Sequence, residues 1–265
     1  MSWQKCAMAY NEKYKRILHR LGYYDYQRGL IYRHLAQGDG WNDHLQNCRN
    51  FIIRSVDTIQ PDRVTVLGSG WLLDLPLKEM LEKTGSVTLI DIIHPPDAVR
   101  QVADLNNVEL VEADATGGLI EEIWQKAGRL PFYSKLRTLE GINIPDFDLP
   151  GDPGLVISLN ILSQLESLPL KLLRAKSSAG EGDYLMFRKD VQQKHLDFLL
   201  RHQSVLITDT GEVFTGRDGV ATEVRTVEID LPEGQYSEKW VWDFDLKGSD
   251  YFEKKSVMKV SAILL

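Results

Sequence analysis

The chain has 265 residues, 43% hydrophobic and 26% charged, so it can bury a core and is not disordered as its dominant state. Lys and Arg number 31 against 38 Asp and Glu, and the resulting charge of −7 has the wrong sign for tracking a phosphate backbone. The length fits one large α/β domain with an appendage.

No run reaches the ~18 to 20 apolar residues of a membrane span, and the opening MSWQKCAMAYNEKYKR interleaves charges where a secretory signal has an apolar stretch. The expectation is a soluble, cytoplasmic protein with neither nucleic acid nor membrane as partner. Cys6 and Cys48 form no CxxC pair and no Cys/His cluster at ligand spacing. Buried thiols are expected, and no metal site.

The first sixty residues read as a helical segment or cap. Trp3, Cys6, Tyr10, Tyr14, Ile17 and Leu21 recur at helical spacing, as do Leu45, Cys48, Ile52, Val56 and Ile59. Between them lies YYDYQRGLIYRHLAQGDGW, dense in Tyr, Arg and His, with a turn at 38–40. From residue 61 a second unit begins. VTVLG, VTLIDI and VELVEAD alternate with helical stretches at 73–83, 96–105 and 119–127, which reads as βαβ units on a parallel, doubly wound sheet covered on both faces. Residues 128–153 carry four prolines and no sustained period, the mark of a functional insertion or lid. LVISLN gives a fourth strand, followed by an apolar, helix-like stretch at 161–173. Residues 183–202 fit either a strand start or a helix, and the stripe Tyr184, Phe187, Val191, His195, Phe198 favours helix. The fifth strand is SVLITD at 204–209, and TEVRTVEI, KWVWDFD and SVMKVSAILL make a β-rich ending. In KWVWDFD, Trp240, Trp242 and Phe244 share one face, with Val241, Asp243 and Asp245 on the other.

The chemistry concentrates where strands end. VTVLG runs into Gly68-Ser69-Gly70, a turn that lets backbone approach a ligand closely or simply reverses the chain tightly. A dinucleotide fingerprint places its third glycine at 73, where this chain has Leu. Asp91, about 21 residues after Gly70, ends the second strand; it reads as an acceptor for two ribose hydroxyls or as a turn residue before His94-Pro95-Pro96. Asp114, at the third strand's end, suits an adenine amine or an ordinary loop.

Together these residues resemble class I S-adenosylmethionine-dependent methyltransferases. The resemblance covers residues 60–209 and the last strand. Gly68 and Gly70 match the first two glycines of the family's first motif, Asp91 its ribose acid, Asp114 its adenine-side acid and LVISLNIL its fourth strand. The chain is also similar to bacterial methyltransferase-like proteins that carry GxGxLxDxPL (68–77 here), a D-x-x-H-P turn (91–95) and an Arg-rich N-terminal helix ending in His-Leu (28–45). The resemblance implies a Rossmann-like sheet with a reversed C-terminal strand, S-adenosylmethionine held by Gly68, Ser69, Gly70, Asp91 and Asp114, and a small-molecule acceptor. It also implies that Asn160, at the end of the fourth strand, faces the transferred methyl; as residues alone, Asn160 reads equally as a strand-end cap. Two positions depart: Val66 stands where the family has an acid and Leu72 where it has its last glycine, while Asp74 lies close by but out of register.

Tyr23, Tyr24, Tyr26, Arg28, Arg33, Trp41 and His44 form either a substrate lid, with Arg gripping a carboxylate or phosphate, or a packing surface. His195 reads as a core histidine. Two other functions stay open: an NAD(P)-dependent oxidoreductase, although no Tyr-x-x-x-Lys pair is found, and a non-catalytic nucleotide-binding protein of the same fold, which Val66 and Leu72 favour.

Overall fold

The computed structural model describes residues 12–248 and 254–265; Trp3, Cys6 and Tyr10 lie outside them. The chain opens with α1 (Glu12–Leu21), α2 (Tyr23–Gln37), a 3-10 turn (Gly38–Trp41) and α3 (Asn42–Ile59). The aromatic stretch after residue 22 is therefore itself mostly helix, started by Gly22 in the left-handed region and stopped by the Gly38-Asp39-Gly40 turn.

There follow β1 (Arg63–Leu67), α4 (Leu77–Lys83), β2 (Ser86–Asp91), α5 (Pro96–Val102), β3 (Val108–Glu112), α6 (Leu119–Ile123), β4 (Leu155–Leu159), α7 (Ser167–Lys176), α8 (Glu181–Leu199) and β5 (Ser204–Thr215). The chain ends with β6 (Ala221–Arg225), β7 (Tyr236–Asp245) and β8 (Lys255–Leu264). The sheet order is β3-β2-β1-β4-β5-β8-β7, with β6 paired to the outer half of β5. Strands β1 to β5 are parallel, and β8 runs antiparallel between β5 and β7. The chain winds outward from β1 to β3 and crosses back to β4 beside β1, so the loops after β1 and β4 part in opposite directions, the place where open α/β sheets bind ligands.

Both faces are covered. Val64, Val66, Leu89, Ile157 and Ile207 pack on Phe51 and Ile52 of α3 and Met80 of α4. Leu67, Ile90, Val156 and Leu206 pack on Leu196, Phe198 and Leu199 of α8. Continuous apolar strands are what a sheet buried on two sides requires. Residues 181–199 are helical, as their stripe indicates. Among the described residues no helix is long and apolar enough to cross a membrane.

Three expectations shift in detail. The helix after the glycine turn begins at Leu77, not at 73: Pro76 is its non-helical N-cap and disfavours helical backbone at Leu75. The 128–153 insertion is packed in part: Leu139 is buried against α6 to α8, Phe147 and Leu149 against α8, and none of its residues lines the cavity over the carboxyl ends of β1 to β4. On β7, Trp242 and Phe244 are buried and Val241 and Asp243 exposed, but Asp245 is fully buried. A register shift between Trp242 and Asp245 breaks the alternation, and Gln37 Nε2 donates to Asp245 at 2.8 Å.

Candidate functional site

A cavity of about 200 Å³ opens over the carboxyl ends of β1 to β4, beneath α2 and the first turn of α3. Gly68, Ser69, Gly70, Asp91, Asp114 and Asn160 all line it. The two turn glycines do different work. At Gly68, φ 84°, a Cβ would press into the Ile161 side chain and lie 2.6 Å from the Leu159 carbonyl, so this glycine lets β1 pass β4. At Gly70, φ 48°, a Cβ would meet nothing closer than 4.0 Å and would project into open space. Ser69 is buried, with its hydroxyl unpartnered.

Gly70 N–H donates to Asp91 Oδ2 at 2.7 Å, so the glycine turn and the acid of the second strand form one unit. Burial raises the Asp91 pKa, opposed by that N–H, by the His94 charge and by the Ile93 and Ile92 amides. Asp114 accepts from the Thr116 amide at 2.9 Å, from the Thr116 hydroxyl and from Tyr14 Oη of α1 at 3.2 Å; burial raises its pKa too. His94 Nε2 bonds the Val111 carbonyl at 3.1 Å, so the His-Pro-Pro turn ties β2 to β3.

At the opposite end, Asn160 adopts φ 54°, and its Nδ2 donates at 2.8 Å to Oδ2 of Asp74. Asp74 is the residue sequence spacing left out of register. The left-handed Leu72 redirects the chain after the turn and swings Asp74 into the cavity, where burial pushes its pKa up to about 6. Asn160, its own backbone and the charge of Arg49 pull it down, and the charge of Asp91 pushes it up.

His44 completes this end. Its ring stacks on Trp242 with centroids 3.9 Å apart and planes within 5°. Trp240 Nε1–H donates to its Nδ1 at 3.1 Å, and burial lowers its pKa to about 3. The ring is neutral with its proton on Nε2, which lies 3.6 Å from Cys48 Sγ and 3.5 Å from Asn160 Nδ2. Cys48 is fully buried and burial pushes its thiol pKa up. Ligand-type atoms of His44, Cys48 and Asp74 lie within 4.8 Å of one another. A metal would need the Nε2 lone pair while Trp240 already holds the other nitrogen as an acceptor, and ligating histidines instead donate their second N–H outward. The group is a corner of closely approaching polar side chains.

The lid residues divide. Tyr23, Tyr26, Trp41 and His44 line the cavity, and Tyr24 packs on His19. Arg28 pairs with Asp25 in solvent, and Arg33 lies 4.3 Å over the Phe244 ring. Among the described residues no Lys or Arg lines the cavity, so the anion grip expected of Arg28 and Arg33 is not there. His195 is a core residue, its Nε2 2.8 Å from Ser158 Oγ, with its pKa lowered to about 4 by burial. What the sequence concealed was the place of Asp74 in the cavity, beside Asn160, and the Cys48–His44–Trp240 contact. The sequence reading passed over the spacing of four between His44 and Cys48, which sets them together on α3, and their approach to Asp74 requires the sheet.

The fold defines a Rossmann-like α/β protein with a cavity at the carboxyl edge of its sheet. No family model and no curated protein matches the sequence. Among solved structures, the chain is similar to the N-methyltransferase NodS from Bradyrhizobium japonicum WM9 in complex with S-adenosylhomocysteine (10% identity, 82% of this chain and 86% of that one, TM-score 0.37). It is likewise similar to the Burkholderia thailandensis 1,6-didemethyltoxoflavin-N1-methyltransferase (11% identity, 94% and 88%, TM-score 0.40). A third is a putative RNA methyltransferase from Pyrococcus horikoshii (10% identity, 80% and 78%, TM-score 0.34).

Proposed function

We propose that the protein is an S-adenosylmethionine-dependent methyltransferase acting on a small molecule. The observation that carries this reading is the charge of the cavity: Asp91 and Asp114 line its β2 and β3 side with no Lys or Arg among the described lining residues. A ligand with a fixed positive charge and no phosphate suits that wall. A nicotinamide dinucleotide does not, because its diphosphate needs a helix N-terminus directly after the glycine turn and here α4 starts only at Leu77.

The residues fit the cofactor in strand order. Gly70 leaves the space a Cβ would fill, Asp91 stands where ribose hydroxyls would be received, and Asp114 where an exocyclic amine would. When bound, S-adenosylmethionine supplies a methyl already activated by its sulfonium. The protein's task is then alignment and exclusion of water, and a held geometry can replace several kcal/mol of barrier (roughly 7 to 11 at best). Asn160, fixed by Asp74 on the β4 side of the turn, is the side chain we place beside the transferred group.

Thermal shift with S-adenosylmethionine, S-adenosylhomocysteine, NAD and NADP tests this, since a ligand that binds only the native state raises its melting temperature. Shifts with the first two are expected. A shift with NAD or NADP alone refutes the proposal.

A further inference from the structure

The cavity wall carries two buried side-chain hydrogen-bond acceptors without partners. Asn160 must turn its Nδ2 toward the Asp74 carboxylate, which only accepts, so its buried Oδ1 is left without a partner. Gln27 of α2, on the β2 side of the cavity, is held the same way: its Nε2 donates to the Ile93 carbonyl at 2.9 Å, leaving Oε1 buried and unpartnered. Neither assignment can be reversed without setting acceptor against acceptor. Asp74 adds a recessed carboxylate, and the donors on this side are the Nε2–H of His44 and the Nε1–H of Trp242, which is buried without a partner. Buried acceptors without partners are costly, and a bound molecule that brings donors removes the cost. An anionic molecule would instead add acceptors and meet Asp74 at close range.

Shape narrows the class further. Trp41 and Trp242 meet edge to face at 4.7 Å, with His44 flat against Trp242, so the wall beside Asp74 is rigid and aromatic. Such a wall favours flat rings over flexible chains.

We infer that the methyl acceptor is a planar N–H compound, neutral or cationic, of the aryl amine or nitrogen heterocycle class, whose N–H is received by Asp74 with Asn160 as its positioning residue. This rests on the methyl-transfer reading above; Asp74 and Asn160 stand on the β4 side of the glycine turn, away from Asp91 and Asp114 on the β2 and β3 side.

The test is binding, read by calorimetry. S-adenosylhomocysteine is titrated first; failure to bind overturns the methyl-transfer reading and this inference with it, before any acceptor is added. Saturated protein then receives benzimidazole, 5-aminoindole and 4-aminoquinoline, and separately benzoate, indole-5-carboxylate and quinoline-4-carboxylate. The nitrogen series is expected to bind at least tenfold tighter. Asp74→Asn should erase that preference while leaving S-adenosylhomocysteine affinity within about threefold, and circular dichroism confirms the variant's fold. Carboxylates that bind as well, no binding by either series, or a preference that survives Asp74→Asn each overturn the inference while the methyl-transfer reading stands. Loss of S-adenosylhomocysteine by the variant assigns Asp74 to the cofactor and overturns it too.

Discussion

Replacing Asp74 by Asn should make the free protein more stable at alkaline pH. In the unfolded chain this carboxyl titrates near its ordinary 3.8, and in the folded protein burial holds it near 6. A raised acid binds its proton more tightly when folded, so its contribution is fully present below pH 3.8 and is lost as pH rises through 6. The gap of 6 minus 3.8 corresponds to about 3 kcal/mol above pH 6, at 1.36 kcal/mol per unit. The Asn side chain keeps the shape and carries no charge, and Asn160 can offer its idle Oδ1 to the new amide. Urea unfolding of parent and variant at pH 8 should therefore differ by up to about 3 kcal/mol in favour of the variant, with the difference closing toward pH 4. The groups facing Asp74 do not mimic this, since His44 and Cys48 are held neutral and Arg49 and Asp91 remain in both proteins. A variant no more stable than the parent at pH 8 would refute the claim that an ionised Asp74 sits at a cost in the free cavity.

Gly70→Ala should fold with some loss of stability from its positive φ and weaken S-adenosylmethionine binding, whereas Gly68→Ala should fail to fold because its Cβ meets Ile161 and the Leu159 carbonyl; circular dichroism with calorimetry separates them. Asp91→Ala should weaken S-adenosylmethionine by about 1.5 to 3 kcal/mol, the scale of a charge-assisted hydrogen bond, and unchanged affinity in a folded variant would make Asp91 a turn residue. The affinity of the nitrogen probes should fall as pH drops through about 6, when Asp74 takes up its proton, and a flat profile from pH 8 to 5 would contradict its role. Amides of α2 should exchange faster than those of α3, because Gln37 is the one buried residue of α2 against seven in α3, and S-adenosylhomocysteine with a nitrogen probe should slow α2; equal rates throughout would make α2 a fixed wall.

The strands and both glycines were legible because buried parallel strands are apolar throughout and end abruptly in Gly or Asp. The β4–β5 connection was legible in the stripe of Tyr184, Phe187 and Val191, which buries as read. Asp74 was not, because its arrival depends on Leu72 adopting φ 60°, a conformation leucine rarely takes and sequence pattern does not announce. Arg33 misled for a related reason: an arginine near aromatics suits an anion grip and a stack on Phe244 equally, and only the position of β7 decides between them. The role of Tyr14 was hidden by distance, since α1 and Asp114 meet only once the cap is docked.

The placement of β8 between β5 and β7 sets an order of assembly. During synthesis β7 leaves the ribosome before β8, yet it has no neighbour in the sheet until β8 arrives, and an unpaired strand rich in tryptophan is a hazard meanwhile. Trp240 and Trp242 ride on that strand and fix the His44 ring. The nascent protein can thus complete its glycine turn and the acids of β2 and β3 while the wall beside Asp74 is still missing. Competence to hold the nucleoside would precede competence to hold the acceptor, and the interval between them would last as long as translation of the final two strands.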